Sequence, residues 1–335
     1  MAMPDLSALR DAAQRLAGKV TRTPLVPAPW AGDVAPGGLW LKLETAQATG
    51  AFKLRGATNA VACLPADARA VVCCSTGNHG RAVAHAAAAR GLEATVCLSS
   101  LVPEAKRRAI AATGARLKIT GDSQDAAGVV AKEMAQADGV YEIPPFDHPH
   151  VISGQGTIGL ELAEDIPDAE TVLIPLSGGG LAAGIAVALR ALCPSVCLIG
   201  VSMENGAAMA ASLQAGHPVD VVEVPTLADS LGGGIGLDNS YTFALCRDLL
   251  DEVVQVDEAG IYAAMRRLYW DGRLITEGAA AVGLAALATG RVSARGKIIS
   301  LITGSNVDMA QFTATVTGEE VKIGDHWIGR THHGE

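Results

Sequence analysis

Aromatic side chains are scarce in this chain, with four Trp, four Tyr and four Phe among 335 residues. An apolar interior must therefore come from Ala, Val, Leu and Ile, which suits helices packed closely on parallel strands. Dense basic runs are missing too. The net charge of -9 is spread along the chain, and no Lys/Arg stretch can track a phosphate backbone, so nucleic acid is not an expected partner. Uninterrupted apolar runs of membrane-spanning length are absent, since "LIPLSGGGLAAGIAVALRAL" is broken by a glycine turn and no membrane partner is expected. The N-terminal "MAMPDLSALRDAAQRL" is polar and helical in pattern, without the apolar core of a signal peptide. Cysteines number seven, at irregular spacing: Cys63, Cys73, Cys74, Cys97, Cys193, Cys197 and Cys246. An odd, irregular set argues against a disulfide framework or a zinc site and for buried thiols in a reducing cytoplasm.

What is present is alternation. Short apolar runs at 39–44, 70–76, 94–99, 116–120, 139–143, 171–177, 196–202, 252–256 and 297–303 read as strands. Between them lie Ala-rich or amphipathic stretches such as "GRAVAHAAAARG" and "PEAKRRAIAATG". Such alternation predicts an α/β fold with mostly parallel sheet flanked by helices. A chain of this length can form two domains. Pro, His and Gly cluster in "IPPFDHPHVISGQG" (143–156), which reads as a boundary before a second sheet.

Three strand ends carry polar or glycine-rich turns, the places where open α/β sheets bind ligands. "VLIPLSGGGLAAGI" runs a strand into Gly178, Gly179, Gly180 and Leu181 and then a helix, a cup suited to a phosphate. No Lys-Ser/Thr follows, so it is not a Walker A loop, and the spacing is not the dinucleotide fingerprint. "CCSTGNHGRAVA" offers Ser75, Thr76, Gly77, Asn78 and His79, which fit either ligand contacts or helix caps. "KIISLITGSNVD" ends in Thr303, one neutral hydroxyl at a strand terminus. In "GAFKLRGATNA", Lys53 follows Phe52 between small and apolar residues. A lysine in such a setting can lose enough basicity to form a Schiff base. A lysine, a phosphate cup and polar strand-end loops together are what a pyridoxal phosphate (PLP) site requires.

"AFKLRGATNA", "STGNHGRAVA", "SGGGLAAGI" and "TGSNVD", in this order, resemble the fold-type II PLP-dependent enzymes, within them the serine/threonine dehydratases and serine racemase. The resemblance runs from about Thr21 in "TRTPL" to about residue 312. It implies two open twisted sheets with PLP in the cleft between a large domain, residues 1–50 and 149–325, and a small domain, 51–148. Residues 326–335 would form a polar tail. It also implies that Lys53 binds PLP and takes the Cα proton, with Phe52 beside it. Asn78 would bond the cofactor's 3-hydroxyl, Ser75–His79 the substrate carboxylate, and Gly178–Leu181 the phosphate. Thr303 would face the pyridine nitrogen and Glu277 would lie near the ring, unless it only caps the next helix. A hydroxyl cannot keep that nitrogen protonated as an Asp would, which favours loss of a β-substituent over transamination.

The implied reaction is β-elimination from a 3-hydroxy amino acid such as L-threonine or L-serine, giving a 2-oxo acid and ammonia. Racemase-like members carry a serine where Thr76 stands; the stiffer, bulkier residue favours lyase chemistry over racemisation. The family's divalent-cation site maps onto "GVSMENGAAMAAS", where Glu204 is kept and Ala208 can offer a carbonyl, but Ala210 replaces an Asp, so no metal is expected. "LADSLGGGIGLDN" (227–239), with Asp229, is expected at the substrate mouth and resembles members assigned to hydroxyectoine breakdown. That leaves 3-hydroxyaspartate or a hydroxyectoine-derived amino acid as alternative substrates, with Arg55 or another basic side chain receiving a second carboxylate. The short tail leaves no room for a regulatory domain, and a homodimer is the family's expectation. A nicotinamide-dependent oxidoreductase fits the same architecture but lacks its fingerprint.

Overall fold

The computed structural model describes residues 2–75, 77–102, 104–293 and 296–329. Twelve strands occur among them. They are β1 Leu25–Pro27, β2 Leu39–Leu43, β3 Ala70–Cys74, β4 Glu93–Leu98, β5 Arg116–Ile119 and β6 Val140–Glu142. Then come β7 Thr171–Pro175, β8 Cys197–Met203, β9 Glu252–Val256, β10 Ile298–Ile302, β11 Val321–Ile323 and β12 His326–Ile328. Six form one sheet in the order β1-β2-β10-β7-β8-β9, parallel except for the antiparallel edge strand β1. Four form a second, wholly parallel sheet in the order β5-β4-β3-β6.

The nine predicted strands are all present, each shifted by at most a residue or two. β7 and β10 are buried at every position, as strands covered by helices on both faces must be. The 326–329 part of the expected tail begins with β12, which pairs back on β11. Among the described residues no helix is long and apolar enough to cross a membrane.

The stretch 143–156 follows β6, the last strand of the four-stranded sheet in the chain, and from Pro149 it runs into the helix Pro149–Asp165. Its glycines let backbones touch. A Cβ on Gly184, in the helix Gly180–Leu192, would stand 2.4 Å from the Ile152 carbonyl oxygen. One on Gly154 would stand 2.7 Å from the Arg55 carbonyl oxygen and from Gly56 Cα. The central helix is thereby pressed against both the helix that starts at Lys53 and the helix that starts at the glycine cup. Close packing of this kind holds two distant sequence segments in one fixed relation.

Candidate active site

The carboxyl ends of β3, β7 and β10 converge on a cavity of about 570 Å³. Its wall includes Phe52, Lys53, Ser75, Gly77, Asn78, His79, Gly178, Gly179, Gly180, Leu181, Glu277 and Thr303. Thr76 lies outside the described residues. The volume is in the range of small-molecule sites, and the location is the one this architecture favours.

Lys53 opens the helix Lys53–Ala62. Its approach is set by Gly50, at φ +72°, and by the Phe52 N–H, which donates to the Thr303 carbonyl at 3.0 Å. The lysine is thus tied to the end of β10 by backbone alone. Its amine donates to the Pro145 carbonyl at 2.7 Å and stands 5.2 Å from the centre of the Phe52 ring. Burial draws the amine down from 10.5 to about 8, close to where it can act as a neutral base.

At the other wall, Gly179 caps the helix Gly180–Leu192 at φ +87°. The first-turn N–H groups of that helix have no partner within it and lie at the cavity. A Cβ on Gly179 would meet Thr242 Cβ at 3.0 Å and Cys246 Sγ at 3.1 Å, and one on Gly178 would enter the Phe146 ring at 2.3 Å. Only glycine fits this cradle. Gly179→Ala is expected to destabilise the fold by about 1–3 kcal/mol through the strained φ, and to weaken phosphate binding. Thermal unfolding with and without PLP separates the two losses.

Glu277 is buried, at 3% exposure; it holds the N-cap position of the helix Gly278–Ala288, and its carbonyl accepts from the Ala280 N–H at 3.1 Å, but its carboxylate makes no bond to that helix. Its side chain is therefore not spent on capping. Its carboxylate accepts from Asn78 Nδ2 at 3.0 Å on both oxygens, from Ser230 Oγ at 2.9 Å and from the Asn306 N–H at 2.8 Å. Burial raises its pKa, opposed by these donors. Asn306 in turn donates to Asn78 Oδ1 at 2.7 Å and accepts from Arg81 at 2.8 Å. The side chain of Asn78 is thereby locked at the cavity wall rather than free to swing.

The imidazole of His79 is buried in the cavity wall. Its Nε2 lies 2.7 Å from the Ile143 carbonyl oxygen, and the residue is 3% exposed. Ser75 Oγ accepts from the Gly77 N–H at 3.3 Å. The 227–239 stretch does reach the site: Asp229, Ser230, Leu231 and Gly232–Gly234 line it.

Arg55 does not stand at the mouth. It is 1% exposed and paired with Glu44 and Glu161 behind the helix of Lys53, so it cannot meet a substrate carboxylate. Helical geometry explains the difference, because residues two apart point to different sides of a helix. The basic side chain that does line the cavity beside Lys53 is Lys132, from the helix Gln124–Met134. Neither it nor Pro145, Phe146 and Ser230 carries a signal in its local sequence. Glu204 is exposed, and among the described residues no three His, Cys, Asp or Glu side chains gather as a metal site.

The family described as "Pyridoxal-phosphate dependent enzyme" matches residues 16–304. A Sinorhizobium fredii protein provisionally named threonine dehydratase is 51% identical over 93% of this chain and 95% of its own length. The Escherichia coli K12 catabolic L-threonine dehydratase TdcB is 37% identical over 92% of this chain and 94% of its own. Among solved structures, maize serine racemase superposes with a TM-score of 0.87 at 32% identity, covering 94% of this chain and 98% of that one. The desolvated lysine and the glycine cradle fit such a cofactor on their own chemistry, and the chain belongs to the pyridoxal-phosphate dependent enzyme family.

Proposed function

We propose that the protein is a PLP-dependent ammonia-lyase that dehydrates L-threonine or L-serine, giving a 2-oxo acid and ammonia. One observation carries it: a buried amine at about 8 and a glycine cradle at a helix start share one cavity. PLP bound to Lys53 supplies the electron sink for a carbanion at Cα. The chain's own residues do the rest. Lys53 Nζ takes the Cα proton, a role its lowered basicity suits. The N–H groups of Gly178–Leu181 would hold the phosphate of PLP, and Thr303 would offer its ring nitrogen a neutral partner. Asn78, fixed by Glu277 and Asn306, would orient the ring's hydroxyl side. Ser75, Gly77, Asn78 and the backbone of His79 would hold the substrate carboxylate.

The relatives named for threonine support the substrate class. The test is incubation of the PLP-loaded protein with each amino acid, followed by assay of 2-oxo acid and ammonia. Equal release of both products is expected. Failure with both substrates, in protein that borohydride fixes to its cofactor at Lys53, overturns the substrate class.

A second reading rests on Lys132, whose exposed side chain reaches the cavity wall. An ammonium there suits a substrate with a second carboxylate, such as 3-hydroxyaspartate or a hydroxyectoine-derived acid. Lys132→Ala is then expected to lower kcat/KM for 3-hydroxyaspartate roughly ten- to hundredfold, the worth of one charged hydrogen bond. Threonine turnover stays near wild type. Equal effects on the two substrates would remove this reading.

Further parts of the proposal are a small domain at 51–148, supported by a four-stranded sheet lying wholly within it, and a homodimer, supported by the family resemblance. Seven cysteines without disulfides support a reducing compartment, for which we propose the cytoplasm.

A further inference from the structure

The His79 imidazole presents an unexplained buried atom. A carbonyl oxygen only accepts, so the nitrogen 2.7 Å from the Ile143 oxygen, Nε2, must carry the ring's proton. Burial and the nearby Lys53 charge hold the imidazole down at about 3, so it is neutral at working pH. In the neutral ring the remaining nitrogen, Nδ1, is a bare acceptor, and it is buried with no hydrogen-bond partner among the described residues. Proteins seldom leave such an atom unsatisfied without a use for it.

The surroundings point to the use. His79 and Lys53 line the same cavity, and the two are anchored on one short segment: the imidazole on the Ile143 carbonyl, the amine on the Pro145 carbonyl. That segment is itself fixed, because the Ile143 N–H donates to the Val72 carbonyl in β3 at 2.9 Å.

We propose that His79 is a positioning residue for Lys53, its Nδ1 accepting a hydrogen bond from the Lys53 amine during turnover. The inference rests on the lyase reading given above. A neutral amine has two N–H bonds and one lone pair. With one N–H on the Pro145 oxygen and the other on His79 Nδ1, the lone pair is left facing the cavity, toward Cα. The Cα–H bond then breaks, an N–H bond forms on Nζ, and the electron pair stays with the substrate. The resulting ammonium keeps the same two acceptors, with its third proton facing the cavity.

Two substitutions separate positioning from scaffolding. Asn Oδ1 falls where His Nδ1 lies, so His79→Asn keeps the acceptor and loses the Ile143 bond. Gln reaches as far as Nε2, so His79→Gln keeps that bond and loses the acceptor. The readouts are kcat and KM of the PLP-loaded protein, thermal midpoint, and the pH dependence of Lys53 acylation in the full chain after cofactor removal, followed by mass spectrometry. His79→Gln is expected to lose about a hundredfold in kcat with KM little changed. Its Lys53 should titrate below wild type, because an acceptor that favours the ammonium is gone. His79→Asn should recover most of both. A His79→Gln protein with wild-type kcat and Lys53 titration overturns the proposal, as do equal losses in both variants alongside equal drops in thermal midpoint. Should the wild type release no 2-oxo acid, the lyase reading fails, and the acylation titration still judges His79.

Discussion

Lys53→Ala is expected to lower kcat/KM for the amino-acid substrate by at least about 10⁴-fold, the upper range for loss of a single general base. In barrier terms that is about 5.4 kcal/mol. Two functions go at once, the covalent hold on PLP and the acceptor for the Cα proton, and no neighbour can replace either. Lys132 reaches the same cavity, but from the helix Gln124–Met134 and an exposed position. Lys53→Arg should fail as fully, because a guanidinium stays protonated and cannot form the Schiff base. The fold should survive both changes. Among the described residues the Lys53 amine bonds only the Pro145 carbonyl, and its burial depresses its own basicity. Removing it relieves desolvation more than it breaks bonding. The checks are product release, loss of borohydride-fixed PLP, and an unchanged thermal midpoint. A Lys53→Ala protein that still turned substrate over would end the assignment of the base.

How far a sequence can be read here follows from what kind of atom does the work. The glycine cup and the polar loop after β3 were legible because an apolar run that stops at Gly, Ser or Asn marks a strand end by residue type. Lys53 was legible for a similar reason, through its setting of small residues and the ordered motifs around it. The Pro145 and Ile143 carbonyls were not, since a backbone oxygen carries no signature of its residue. Nor was the orientation of His79: one histidine beside Asn78 reads equally as a mouth residue or a buried one. β1, β11 and β12 were missed because each is three residues long and, unlike the equally short β6 in "GVYEI", is not set in an apolar run of strand length. The helical setting of Gly154 and Gly156 was not legible either. In a helix interior glycine usually signals weakness, whereas here it buys contact between backbones.

Arg55 is the residue whose reading changed most, and its replacement is expected to unfold the protein more readily than any surface change. Its guanidinium donates to both oxygens of Glu44, at 2.9 and 2.8 Å, and to both oxygens of Glu161, at 2.5 and 3.0 Å. Glu44 is 0% exposed. These partners lie 11 and 106 residues away, beyond any local pattern. Arg55→Ala leaves Glu161 with Lys42, at 2.6 Å, but leaves Glu44 only the Thr23 hydroxyl and the Gln47 amide. An uncompensated buried carboxylate makes the loss about 3–5 kcal/mol, read as a lower urea midpoint at unchanged slope. Arg55→Lys should recover little, because one ammonium cannot serve two bidentate acceptors. Removing the stranded charge as well, in Arg55→Met with Glu44→Gln, should restore much of the stability, since the main penalty is the orphaned ion. Activity provides an independent reading. Arg55 sits two residues from Lys53 on the same helix and ties it to Glu44, next to β2, and to the helix Pro149–Asp165. The single variant should therefore lose kcat even where it remains folded, and the double variant should recover stability ahead of rate. A loss below about 1 kcal/mol in Arg55→Ala, the range of an exposed pair, would mean that the network is not the clamp its geometry describes.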